Sequence, residues 1–126
     1  MIDAIAACRY AALLVVVGAG PVRAEPQAMD GPAIEAALAG NTVHGMWGKR
    51  EYWSWFAPNG GTTYVTKGAP PEHGRWRASA TQYCSTWPGS GESCYELLRD
   101  GDTIIWVMPG TGERRQSTLL PGNQLP

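Results

Sequence analysis

The chain has few charges and no surplus of either sign, and this shortage excludes one class of function. Lys and Arg number 10 and Asp and Glu number 11, which gives a formal net charge of −1. A general nucleic-acid-binding domain carries a clear basic excess, so we expect no nucleic-acid partner. The length of 126 residues is enough for one domain and too short for two.

Glycine, proline and tryptophan are abundant by contrast. The chain has 16 Gly and 10 Pro, and its six Trp and five Tyr stand against one Phe. A hydrophobic content of 44% argues against intrinsic disorder. This composition is typical of a small fold built from turns and amphipathic aromatic residues.

The N-terminal segment has the pattern of an export signal. An apolar run covers 11–17, Arg9 precedes it, and Val22 and Ala24 occupy the −3 and −1 positions of a signal-peptidase site. The run is too short to cross a membrane, since a spanning helix needs about 20 apolar residues. The sequence therefore predicts a signal peptide over 1–24, a periplasmic or secreted product, and no membrane span after cleavage.

Cysteine usage agrees with export. Cleavage removes Cys8 and leaves Cys84 and Cys94, and one cysteine pair in an exported domain is typical of a single disulfide. A hairpin centred on Gly89 places the two cysteines directly opposite each other, with Cβ atoms about 4.5–5.5 Å apart. That spacing is near disulfide reach. We predict a structural disulfide, because a redox pair usually shows a Cys-x-x-Cys spacing.

The rest of the chain is mostly of β type. Residues 25–40 are predicted to form a lead-in and a short helix over 32–39, capped by Asp30 or Gly31. Residues 41–126 are predicted to form an antiparallel β domain. Its short strands are separated by turn signals and cover 42–47, 50–57, 62–66, 75–79, 83–87, 93–99, 102–108 and 113–120. We therefore predict a mainly β fold, a small antiparallel up-and-down barrel or sandwich of about 7–8 strands with one short N-terminal helix.

Residues with catalytic potential are isolated from one another. His44 and His73 are the two histidines, and neither belongs to a metal-ligand spacing. No serine lies in a Gly-x-Ser-x-Gly elbow, and the acidic stretch around Glu96 lacks the order of a calcium loop. We predict no enzymatic activity, no metal site and no cofactor.

Two predicted strands, 50–57 and 102–108, are apolar on both faces. A small barrel has one core, so the second face of each strand needs another cover, which the helix, a ligand or a partner could supply. If the helix and the core absorb all these rings, they are structural only. If they do not, the predicted ligand-binding residues are Tyr52, Trp53, Trp55, Trp76 and Trp106.

The order of landmarks resembles a known group of proteins. The landmarks are Gly40-Asn41-Thr42 with Gly45, Pro58-Asn59-Gly60, Gly74-x-Trp76, Cys84-x-x-Trp87, Cys94-Tyr95 and Leu120-Pro121-Gly122-Asn123. Over 40–123 they resemble small exported proteobacterial proteins of unknown function with a single disulfide and a lipocalin-like β-barrel. The Gly-x-Trp sequence and the close cysteine pair are also similar to periplasmic metalloprotease inhibitors of barrel fold, which act through an N-terminal segment.

Two functions remain open at this point. The first is an exported, non-catalytic β-barrel domain that binds a small apolar ligand or an envelope protein, since eight-stranded barrels hold at most one small ligand. The alternative is a protein-interaction or protease-inhibitor-like module that acts through its N-terminal segment and exposed aromatic residues. A cavity lined by aromatic side chains would favour the first function, and a filled barrel with an outer aromatic patch would favour the second.

Overall fold

The computed structural model describes residues 25–126, which form an antiparallel β-barrel with one short helix. The predicted signal peptide lies outside the described residues. The elements are β1 (Gln27–Ala28), α1 (Gly31–Leu38), β2 (Asn41–Trp47), β3 (Arg50–Phe56), β4 (Gly61–Thr66), β5 (Glu72–Ala78), β6 (Tyr83–Thr86), β7 (Glu92–Asp100), β8 (Thr103–Val107) and β9 (Arg114–Pro121). The predicted mainly β fold is confirmed.

The barrel consists of the eight strands β2 to β9, each paired with its neighbour in the chain. The ring closes where β2 pairs with β9, with Val43 opposite Leu119 and Gly45 opposite Ser117. Just after β9 ends, the Gly122 carbonyl oxygen accepts a hydrogen bond of 2.7 Å from the Thr42 hydroxyl of β2. Closure decides between the two predicted architectures in favour of the barrel, and it leaves no unpaired edge between β2 and β9.

The ninth strand, β1, lies outside this ring and was not predicted. It pairs with β7, placing Gln27 opposite Arg99 and Ala28 opposite Leu98. The short strand β6 pairs only with the first part of β7, from Glu92 to Tyr95, so β1 pairs with backbone that β6 does not reach. Two residues are too few to show the alternation from which a strand is predicted.

Helix α1 begins and ends one residue earlier than the predicted 32–39, and Asp30 is its cap. The Asp30 carboxylate caps it by accepting a hydrogen bond from the Ala33 amide over 2.9 Å. The chain leaves the helix through Gly40, whose φ of +79° suits glycine. No helix among residues 25–126 is long and apolar enough to cross a membrane.

The helix closes one end of the barrel. It contacts β2 and β5, two strands that β3 and β4 separate, so it lies across the barrel opening and not along one wall. Ile34 and Leu38 point from it into the barrel and are completely buried. Apolar positions three and four apart give a helix one apolar face. Here that face fills and closes the barrel end, and we call it the plug.

The core above this plug is aromatic. Phe56 lies at its centre, with ring centroids 5.7 Å from Trp76, 5.7 Å from Tyr83 and 6.5 Å from Trp106. The Trp76 indole donates to the Ala57 carbonyl oxygen over 2.9 Å, which satisfies its buried N–H. The filled half of the barrel therefore ends in a layer of rings.

Candidate functional site

A cavity of about 280 Å³ lies above that layer, towards the barrel end opposite the helix. Its position follows from its lining, which includes the last residue of β2 and the first residue of β5. Seven of its ten lining residues are Trp or Tyr. The full set is Trp47, Tyr52, Ser54, Tyr64, Glu72, Tyr83, Ser85, Trp87, Tyr95 and Trp106.

Two glycines make room for the cavity's rings. Tyr52 lies opposite Gly45 across β2 and β3, and a Cβ atom on Gly45 would lie 3.1 Å from the Tyr52 hydroxyl oxygen. A Cβ atom on Gly74 would lie 2.7 Å from Cε3 of Trp87, so the Trp87 ring packs directly against the glycine backbone. Glycine in a strand often marks such a close approach.

The tyrosine walls are uncharged at neutral pH. Burial raises the pKa of Tyr52 from 10.0 to about 12, and the neighbouring Tyr64 adds to the rise. Burial also raises the pKa of Tyr83 and of Tyr64. All three side chains therefore keep their protons and present an apolar ring with a neutral hydroxyl.

Charged groups gather at the mouth. Trp47 is 39% exposed at the rim, and the Arg115 guanidinium carbon lies 4.2 Å from its ring centroid in a cation–π contact. Arg115 also contacts the Glu113 carboxylate at 3.4 Å, while its buried Nε has no hydrogen-bond partner among the described residues. Glu72, on β5, stands on the opposite side of the mouth.

Two of the five predicted ligand-binding residues meet in this cavity. Tyr52 and Trp106 line it. Trp76 lies in the core beside Phe56 and Tyr83 and does not line the cavity.

Trp53 and Trp55 alternate with Tyr52 along β3, so they point to the outer surface, where both are half-buried. On that surface Trp53 stacks on His44 with ring centroids 5.0 Å apart. The helix does not cover them, because it lies across the barrel end.

Five aromatic lining residues were not predicted as site residues. They are Trp47, Tyr64, Tyr83, Trp87 and Tyr95. All five follow the inward alternation of their strands, which the sequence could have shown once the inner face was known. Trp47 and Trp87 are the last residues of the predicted strands 42–47 and 83–87, two residues after the inward-facing Gly45 and Ser85.

The two histidines lie on separate strands. His44, on the outer face of β2, contacts the Glu51 carboxylate with Nε2 at 2.7 Å. His73, on β5, contacts the Thr63 hydroxyl at 3.2 Å. Neither residue lines the cavity. The absence of enzymatic activity stays a prediction.

The cysteine pair forms the predicted hairpin. Cys84 and Cys94 lie directly opposite each other on β6 and β7 and form a disulfide with Cα atoms 4.1 Å apart. They alternate with Tyr83 and Ser85, so they point away from the cavity. With Glu92 the two sulfurs have the spacing of a metal cluster, but sulfurs joined in a disulfide offer no thiolate ligand. The bond is compatible with an oxidising compartment.

No protein-family model matches the chain, and no significant match was found among curated proteins or solved structures. The resemblance to exported lipocalin-like barrels therefore stays a prediction. A barrel fold hosts many unrelated functions, so function depends on the cavity and its side chains.

Proposed function

We propose that this protein is a non-catalytic binding domain that holds a small, largely apolar ligand in the open end of its barrel. The observation that carries the proposal is the cavity of about 280 Å³ with seven aromatic lining residues. Small-molecule sites are concave and mostly apolar, with a few polar groups that orient the ligand, and measure about 300–1,000 Å³. At about 280 Å³ this cavity lies just below that range and suits a small ligand.

The aromatic lining of the cavity supports a ligand site. Trp and Tyr present large apolar faces with a polar N–H or O–H at one end. The cavity of about 280 Å³ opens at the barrel mouth, so a ligand can enter from solvent. Covering its apolar walls with a ligand gains about 25 cal/mol per Å² of apolar surface removed from water.

The alternative function, a protein-interaction module, has less support. Its N-terminal part would have to be available, but Ile34 and Leu38 are completely buried in the barrel and Met29 is 6% exposed. What supports it is the outer surface, where Trp53 and Trp55 are half-buried and face outward. Variants in the cavity and on the outer surface separate the two functions.

We also propose that the protein is exported and works in the periplasm or outside the cell. The disulfide between Cys84 and Cys94 supports an oxidising compartment. The predicted signal peptide over 1–24 supports export on independent grounds.

The cavity can be tested with a neutral apolar fluorophore, N-phenyl-1-naphthylamine, whose emission rises in apolar surroundings. We expect saturable binding with a dissociation constant on the order of micromolar. Ser54→Phe places a ring inside the cavity and should weaken binding at least tenfold. Thr63→Phe adds the same ring to the outer face of β4, which faces away from the cavity, and should leave binding unchanged.

Near-UV circular dichroism checks that each variant keeps its fold, and Ser54→Leu serves as a smaller filler if Ser54→Phe does not fold. Trp53→Ala tests the outer surface. Loss of binding in Trp53→Ala with full binding in a folded Ser54 variant would overturn the cavity proposal and favour the outer aromatic surface.

A further inference from the structure

The rings of the cavity are arranged like the walls of a box. Several neighbouring rings stand nearly at right angles, at 82° for Trp47 with Tyr52, 75° for Tyr64 with Trp87, and 83° for Tyr95 with Trp106. Two pairs depart from this arrangement: Tyr52 and Tyr64 stack at 20°, and Tyr83 and Tyr95 are tilted at 36°. The face of an aromatic ring carries partial negative charge. A box of such rings attracts a positive charge placed inside it, and aromatic cages of this kind bind quaternary ammonium groups.

A carboxylate lies at the edge of the box. Of the described residues that line the cavity, Glu72 alone carries a formal charge at neutral pH. It lies directly opposite Tyr64 across β4 and β5, so the two side chains share the inner face of the barrel. Burial is the largest cause of the raised pKa of Tyr64. The negative charge of Glu72 adds to the rise, and the Thr66 hydrogen bond and the positive charge of Arg50 oppose it.

The opposite side of the mouth already holds a cation. The Arg115 guanidinium lies over the Trp47 ring, 4.2 Å from its centroid, and its positive charge would repel a second cation there. In the barrel order, β2 and β9 lie across from β5 and β6. A ligand's positive charge is therefore best placed on the far wall, which Tyr64, Glu72 and Trp87 form.

We propose that the cavity binds an organic cation, a quaternary or alkylated ammonium group, between Tyr64, Trp87 and Glu72. This inference rests on the proposed function of the cavity and names the chemistry of its ligand. An alkylated ammonium matches the lining because its methyl groups contact rings and it needs few hydrogen-bond acceptors. A bare ammonium would lose hydration that ring faces do not replace.

Three soluble compounds of matched shape test the proposal by calorimetry. They are choline, its neutral carbon analogue 3,3-dimethyl-1-butanol, and the anion 3,3-dimethylbutanoate. We expect choline to bind at least ten times more tightly than the neutral compound, since a cation–π contact strengthens when the cation is desolvated. Glu72→Gln should weaken choline binding about threefold to tenfold and leave the neutral compound unaffected.

The control variant is Glu96→Gln. Glu96 is exposed on β7, next to the inward-facing Leu97 and therefore on the outer face. The substitution removes the same charge away from the cavity, so the affinities for choline and for the neutral compound should not change. Equal binding of choline and the neutral compound would overturn the cation preference. Tightest binding of the anion would also overturn it and would assign the ligand's charge to Arg115. In either case, binding of N-phenyl-1-naphthylamine still tests the cavity's proposed function separately.

Discussion

The disulfide on the outer face of β6 and β7 should stabilise the barrel and take no part in binding. Cys84 and Cys94 are ten residues apart in sequence, and cross-linking a loop of that size removes denatured-state entropy worth about 2.7 kcal/mol at 25 °C. We expect the double variant Cys84→Ser, Cys94→Ser to lose about that much free energy of unfolding. For a domain of this size, the loss lowers the melting temperature by about 10–20 °C.

Urea unfolding monitored by tryptophan fluorescence measures this loss. Wild-type protein with reductant should match the double variant, and reductant should not change the double variant itself, which separates the disulfide from other effects of serine. Fluorophore affinity should stay within about twofold at temperatures where both proteins are folded, because the pair points away from the cavity. An unchanged stability would refute the entropy argument. Lost binding in a fully stable variant would refute the purely structural role.

Two further predictions concern the cavity's glycine and its tyrosines. Gly74→Ala should destabilise the protein by about 1–3 kcal/mol and weaken fluorophore binding, because its Cβ would lie 2.7 Å from the Trp87 ring and 2.6 Å from the Thr86 carbonyl oxygen. Gly91→Ala, where a Cβ meets nothing within 4 Å, is the control, and equal stabilities in urea unfolding would contradict the close approach. Tyr52 has a raised pKa of about 12, against an ordinary 10.0. As the pH rises, the unfolded chain therefore loses this proton before the folded protein does. The free energy of unfolding should consequently fall between about pH 10 and pH 12. Tyr52→Phe should reduce that slope, and an unchanged slope in urea unfolding across this range would refute the assignment.

The local pairings of the barrel could be predicted from the sequence because turn chemistry fixes them. Asn59 and Gly60 predicted a hairpin turn, and Gly60 has the positive φ of +92° that such turns require. The Pro-Gly-Ser-Gly turn predicted the register that places Cys84 opposite Cys94. These signals are confined to a few neighbouring residues, so tertiary context changes them little.

The inner face of β3 could not be predicted in the same way. Alternation separates Tyr52, Ser54 and Phe56 from Trp53 and Trp55, but both sets are largely apolar. Which set faces inward depends on how the whole sheet curls, and the sequence of one strand does not contain that information. The same ambiguity explains why Trp53 and Trp55, two of the five predicted site residues, face outward. Trp76 faces inward but packs in the core beside Phe56, below the cavity.

Closing the barrel through β2 and β9 has a consequence for how fast the protein folds. Thr42 and Gly122, which are hydrogen-bonded at this seam, lie 80 residues apart in sequence, whereas the hairpins from β2 to β9 join neighbouring segments. A distant pairing forms slowly, since the entropy of a long loop is lost before its contacts form. We therefore expect the hairpins to assemble first and the seam to close last. Until then, the edges of β2 and β9 remain open to pairing with other chains.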